Sequence, residues 1–279
     1  MVIQVITDST SDITPEEAKE LGIRVVPIYV RFGDRVYRDG FDIDSDEFYK
    51  MLDSSPVHPA TSQPNPEDFE SAYRDYCENS DGIISVHISS KISGTYNSAT
   101  IARKMLQSKC PIEVIDSQFN SAGLALIARG AARLAKAASD MPTAVAEIRR
   151  YISQVGMFGY FDTMKYLARS GRVSRVIVAA ANILNVKPLL TFREGEIIRA
   201  GLVRSFSRGV ERLIRFVESK KNITEMIITH STIPEQAEKL KKTMGHYLPE
   251  EQISIMKMGA GLGVHGGPGV LLVAVRQNI

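Results

Sequence analysis

Ile83-Ile84-Ser85-Val86-His87-Ile88, followed by Lys91-Ile92-Ser93-Gly94-Thr95-Tyr96-Asn97-Ser98-Ala99, is the stretch on which the fold turns. The apolar run is short enough for a buried strand, and Ser93-Gly94 then opens onto residues of helical character. Strand, hydroxyl, glycine and helix start, in that order, read as half of a β-α unit in a parallel sheet. The same order sets free backbone N–H groups and a positive helix end beside a serine. Gly94 has no Cβ to block an approaching oxyanion such as a carboxylate or phosphate. Taken alone, Ser93 or Thr95 is better explained as an ordinary helix cap.

Three other segments repeat the pattern and change that balance. Val2–Ile6 runs into Thr7-Asp8-Ser9-Thr10-Ser11-Asp12, with Thr14, Pro15 and Glu17 as a capping-box helix start. Thr61-Ser62-Gln63-Pro64 precedes Asn65, a cap for a helix opening at Pro66. Ile112–Ser117 leads through Asn120-Ser121-Ala122-Gly123 into a long Ala/Leu helix. Loops at the carboxyl ends of strands in an open α/β sheet meet at one crevice, so four polar loops predict a site.

Strands near 2–6, 24–30, 82–88 and 112–116 alternate with helices near 15–21, 45–52, 66–78, 95–107 and 120–138, which predicts an α/β unit with a mainly parallel sheet. The second half opens with helical stretches at 163–170 and 174–185. A hairpin of 187–192 and 196–203 follows, then helices near 207–220 and 234–247 and strands at 225–230, 253–258 and 270–276. That mixture predicts an α+β domain with a largely antiparallel sheet. The expected domains are 1–155 and 156–279.

Charge divides at the same place. Residues 1–155 carry 16 Lys+Arg against 22 Asp+Glu, net −6, and residues 156–279 carry 18 against 10, net +8. Arg169, Arg172, Arg175, Arg204, Arg208, Arg212 and Arg215 concentrate the positive charge. They read as a solvated helix face or as a surface for phosphate or an acidic partner. No nucleic-acid module accompanies them, so no nucleic-acid partner is expected. Two cysteines and an early Asp8 point to a cytoplasmic protein without a leader. The uncharged run near 176–186 is far shorter than the roughly 20 apolar residues of a membrane span.

Several motifs fail on context. Gly261-x-Gly263-x-x-Gly266 matches a dinucleotide fingerprint literally, but Pro268 and a strand follow it, so a glycine-rich turn approaching a ligand, with His265 inside, is expected instead. There is no Gly-Lys pair for a phosphate loop and no Gly-x-Ser-x-Gly elbow, and the histidines and cysteines lack metal-ligand spacing. Asp42, Asp44, Asp46 and Glu47 surround a helix start and suit capping. The residues define an anion site without an evident catalyst or cofactor.

Taken together, Thr7–Asp12, Thr61–Pro64, Ile92–Ala99, Asp116-Ser117, Tyr166–Arg172, Asn185–Pro188 and the late Gly-x-Gly-x-x-Gly resemble, in order, the DegV family of bacterial fatty-acid-binding proteins over essentially the whole chain. The resemblance implies two domains with a long-chain fatty acid between them and no catalysis by the protein itself. It implies a carboxylate held by Thr61 and Ser93, with Ser62, Gly94, His265 and Gly266 beside it. It further implies a partner, an ATP-dependent fatty acid kinase related to dihydroxyacetone kinases, which makes an acyl phosphate for phospholipid synthesis, with Arg172 and Arg204 near the phosphate or partner surface. Ser205-Phe206-Ser207-Arg208 is less basic than the family stretch expected after Arg204. An enzyme acting on a small anionic substrate in the same crevice is the competing reading.

Overall fold

The computed structural model describes residues 1–106, 110–173 and 186–278. The first half runs β1 (Ile3–Asp8), α1 (Pro15–Leu21), β2 (Ile23–Val26), β3 (Tyr29–Phe32), β4 (Arg35–Arg38), α2 (Ser45–Ser54), β5 (Ala60–Ser62), α3 (Pro66–Cys77), β6 (Gly82–His87), α4 (Thr95–Met105), β7 (Ile112–Asp116), α5 (Ser121–Ala137) and α6 (Met141–Ser153). The second half runs β8 (Val155–Tyr160), α7 (Lys165–Ser170), β9 (Lys187–Arg193), β10 (Glu196–Val203), α8 (Phe206–Glu218), β11 (Ile223–His230), α9 (Pro234–Met244), β12 (Ile253–Lys257), α10 (Ala260–Gly266) and β13 (Leu271–Gln277).

The fold is mixed α/β. One sheet has the order β2-β1-β6-β7 and is parallel throughout, while β10-β9-β8-β13-β11-β12 is antiparallel at every pair except β11 with β12. Helix α5 lies between them. Twelve of its seventeen residues are buried, a helix apolar nearly all round, because it packs on β1 and β6 with one side and on β8, β11 and β13 with another. One apolar core therefore runs from Val5 and Ile84 through Leu124 and Ile127 to Ile227 and Leu272. We place the division into 1–155 and 156–279 at the head of β8 as a proposal about organisation, with this core shared between the two parts.

The capping signals in the sequence operate as written. Thr14 Oγ1 accepts from Glu17 N (3.2 Å), Asp44 from Glu47 N (2.8 Å), and Asn65 with Asp68 forms a capping box. Two readings need correction. The strand expected over 24–30 is split, because Pro27 has no N–H to donate to a ladder. Ile28 N turns to Ser9 Oγ at 3.1 Å, and β3 goes on to join β4 and β5 in a third, antiparallel sheet that no sequence pattern announced. Residues 141–160, unassigned from sequence, form α6 and β8, although Asp140, whose side chain accepts from Thr143 N at 2.7 Å, and Pro142 mark the helix start. The helix expected over 174–185 lies outside the described residues.

The glycine-rich stretch departs furthest from expectation. It is the helix α10, not a turn. Its glycines serve close packing: a Cβ on Gly261 would lie 2.3 Å from Ile28 Cδ1 and 2.8 Å from Asp39 Oδ2, and one on Gly263 would lie 2.5 Å from the Phe48 ring. Tertiary packing overrides the poor helix propensity of glycine. Gly261→Ala is thus expected to destabilise the fold by about 1–3 kcal/mol, the range for overpacking, despite alanine's better helix propensity. Denaturant unfolding checks it, and a gain in stability would show that the helix has room to spare.

Candidate functional site

Two loops and one arginine enclose a polar cavity of about 340 Å³. Thr61, Ser62 and Gln63 come from β5 and its following turn, Ser90 to Gly94 from the turn between β6 and α4, and Arg172 from beyond α7. The second turn is held from below: Asp116 Oδ2 accepts from Ser90 Oγ (2.5 Å) and Ser90 N (3.2 Å). Ser93 Oγ accepts from Thr95 N at 3.3 Å and lies 2.8 Å from Thr95 Oγ1, so it caps the turn and still lines the cavity. Gly94 is the N-cap of α4 with ordinary φ. Its missing Cβ makes room for Gln63, whose amide would lie 2.6 Å from that atom. The space above the helix start is therefore covered by a polar, flexible side chain.

A second pocket adjoins this one and is apolar. Met157, Phe161, Leu190, Phe192, Met258 and Leu272 form much of its wall, together with His265, Gly266 and Asn120. The two spaces meet at one contact, Thr61 Oγ1 to His265 Nε2 at 2.8 Å. Burial first, then the nearby Arg172 and His58, push the His265 imidazole down to about 4. The ring is neutral at pH 7. With Nε2–H donating to Thr61 Oγ1, the Thr61 hydroxyl is free to donate into the polar cavity.

His265 is aimed by the clamp at the start of its helix. Gly259 N donates to Asp12 Oδ1 (2.8 Å) and Ala260 N to Asp39 Oδ1 (3.0 Å). Ser121 Oγ donates to Asp12 Oδ2 (2.6 Å) and Ser9 Oγ to Asp39 Oδ2 (2.9 Å). Desolvation raises Asp12 to about 8 and Asp39 to about 6, against the lowering effect of these bonds.

Thr61, Ser62, Ser93, Gly94 and Arg172 thus surround one cavity, and His265 with Gly266 lines the adjoining one. Arg204 is exposed between β10 and α8, lines neither, and makes no ion pair among the described residues. The four loops do not converge on a single crevice. Ser9 and Asp12 face a third cavity, about 680 Å³, beside α1 and β2. Sequence reading also missed Ser85, His87 and Asp8, where Ser85 Oγ lies 2.6 Å from His87 Nε2 and His87 Nδ1 3.0 Å from Asp8 Oδ2. The spacing is that of a hydrolytic triad, but all three side chains are fully buried and Tyr73 donates to Ser85 Oγ at 2.9 Å. It is a core network: Ser85 and His87 are i and i+2 on β6, and Asp8 ends the neighbouring strand.

A polar cavity thus lies beside an apolar pocket in a mixed α/β protein with one parallel and one largely antiparallel sheet. A family model described as "Uncharacterised protein, DegV family" matches residues 2–278, and the chain belongs to the DegV family. It is 33% identical over 269 residues to a DegV domain-containing protein of Caldanaerobacter subterraneus subsp. tengcongensis, covering 95% of each chain. A DegV family protein from Thermus thermophilus, described by its fatty acid binding, superposes with a TM-score of 0.90 at 30% identity over 100% of both chains. DegV of Bacillus subtilis, described as a fatty acid binding protein, gives a TM-score of 0.90 at 26% identity, again over 100% of both chains. No described helix is long and apolar enough to cross a membrane.

The carboxylate clamp generates a pH prediction. Above about pH 4 both acids hold protons in the folded state that the unfolded chain has released, so their contribution to stability is fully present below that pH and is lost as pH rises through the folded values near 6 and 8. Asp12→Asn keeps an acceptor for Gly259 N and removes one titration. Between pH 6 and 8 its stability should fall less steeply than wild type, by up to about 1.4 kcal/mol per pH unit. Thermal unfolding across that range checks this, and parallel curves for the two proteins would refute it.

Proposed function

We propose that this protein binds a long-chain fatty acid, with the carboxylate in the polar cavity and the acyl chain in the apolar pocket. The observation that carries this reading is the Thr61–His265 contact, at which the polar cavity and the apolar pocket lie on either side of one shared wall, as the head and tail of one amphipathic molecule require. Thr61 and Ser93 supply hydroxyl donors, the Gly94 end of α4 supplies backbone N–H groups, and Arg172 supplies positive charge. Ser62 and Gly266 border the head-group and tail ends. A carboxylate leaving water needs such donors, or it would be driven to its neutral form. Burial of a sixteen-carbon chain contributes on the order of 10 kcal/mol before ordering and association costs. The tail supplies affinity and the head supplies orientation.

The same reading makes the protein a carrier, in the cytoplasm, for a separate ATP-dependent kinase of the dihydroxyacetone-kinase type. Support comes from the family resemblance and from Arg204, an exposed arginine without an ion pair among the described residues, whereas Arg208 and Arg215 are engaged by Glu211. Arg172, beside the hydroxyls, is suited to the carboxylate or to the phosphate that forms on it.

Protein purified from a bacterial host is expected to carry one fatty acid per chain, identified by native mass spectrometry. Thr61→Ala and Ser93→Ala should each weaken binding about ten- to hundredfold, as loss of a charge-assisted hydrogen bond implies. Calorimetry with palmitate reads the loss, and unchanged affinity in both variants would move the carboxylate elsewhere.

Arg204→Ala separates holding from handing over. Lipid occupancy should match wild type, while acyl-phosphate formation with the cognate kinase should drop severalfold, and the wild-type rate should fall as salt rises. Full phosphorylation by this variant at low salt would remove Arg204 from the partner surface.

A further inference from the structure

A plain hydrocarbon tail leaves one residue of the apolar pocket unexplained. Asn120 stands in a wall whose other side chains, His265 apart, are aliphatic, aromatic or methionine. It occupies the N-cap of α5, where an asparagine ordinarily turns its side-chain oxygen onto the free N–H groups of the helix. That bond is not made. The amide has no hydrogen-bond partner among the described residues.

Its neighbours fix it in place. The Phe119 ring packs on Phe192 with centroids 5.5 Å apart, and Ser121 is tied to Asp12. Asn120 therefore stands on a rigid frame at the pocket wall. Independently, His265 stands in the same wall, and its Nδ1 is buried without a partner among the described residues. A saturated chain filling this pocket would strip water from the Asn120 amide and return nothing to it, and an unpaired buried polar group is unfavourable.

We propose that Asn120 is a specificity-determining residue that recognises an oxygen function, a hydroxyl or oxo group, carried on the acyl chain. The amide N–H donates to that oxygen, or the amide oxygen accepts from the hydroxyl. This inference rests on the fatty-acid reading of the same site. The ligand class it names is oxygenated long-chain fatty acids.

The test uses full-length protein stripped of lipid. Dissociation constants are measured by displacement of a fluorescent fatty acid for palmitic and stearic acids, and for 3-hydroxypalmitic, 10-hydroxystearic, 12-hydroxystearic and 10-oxostearic acids. At least one oxygenated acid should bind about tenfold more tightly than its parent of equal length. Asn120→Leu should abolish that preference and retain the parent acid. Asn120→Ala, which adds no bulk and forfeits no cap bond, should do the same if the leucine variant folds poorly. The proposal is overturned if no oxygenated acid outcompetes its parent, or if the preference survives both substitutions. Should palmitic and stearic acids themselves fail to bind, the fatty-acid reading falls with it; should they bind without preference, this inference alone falls.

Discussion

Asp12 and Asp39 reach the start of α10 from two different loops of the amino-terminal half, and most of the site's geometry depends on them. A seven-residue helix with three internal glycines has little tendency to form alone. It exists because its first N–H groups find two fixed acceptors and because its glycines allow Ile28, Phe48 and Tyr49 to pack against its backbone. Burying two acids in one place is unfavourable, as their raised proton affinities show. What that cost secures is a direction: the far end of the helix delivers His265 to Thr61, more than two hundred residues away in sequence.

The contact so formed sets the electrostatics of the cleft. An imidazole kept neutral by burial and by Arg172 can pass a hydrogen bond to a hydroxyl without repelling the arginine beside it. Positive charge is then left to Arg172, Lys91 and the helix end of α4, on the polar side, while the apolar side stays uncharged. The division between the two spaces follows from which loop supplies which residue, since β5 and the turn before α4 carry hydroxyls and the antiparallel sheet carries Met157, Leu190 and Leu272.

Much of this was legible in the chain. The alternation of short apolar runs with capped helices gave the parallel sheet, and Thr14, Asp44 and Asn65 cap the helices their spacing foretold. Ser93 follows the strand its apolar run announced, whereas Thr61 lies inside β5 of the small antiparallel sheet, which carries it to the same cavity. The remainder depends on contacts remote in sequence. No local pattern says that Gly261 and Gly263 sit against Ile28 and Phe48, so the helix there read as a turn. Pro27 was visible, but its effect, moving β3 into another sheet, was not. Asp8, Ser85 and His87 became neighbours only through the register of β1 beside β6.

Helix α5 has a consequence for traffic through the cleft. Because it is glued to the parallel sheet on one side and to the antiparallel sheet on the other, the two sheets cannot swing apart as the jaws of a hinged clam do without tearing the shared core. On the proposed function, entry and exit of a fatty acid would therefore rest on small local movements. The Gln63 side chain over Gly94 is a part that could move by rotation about its own bonds while the shared core stays intact.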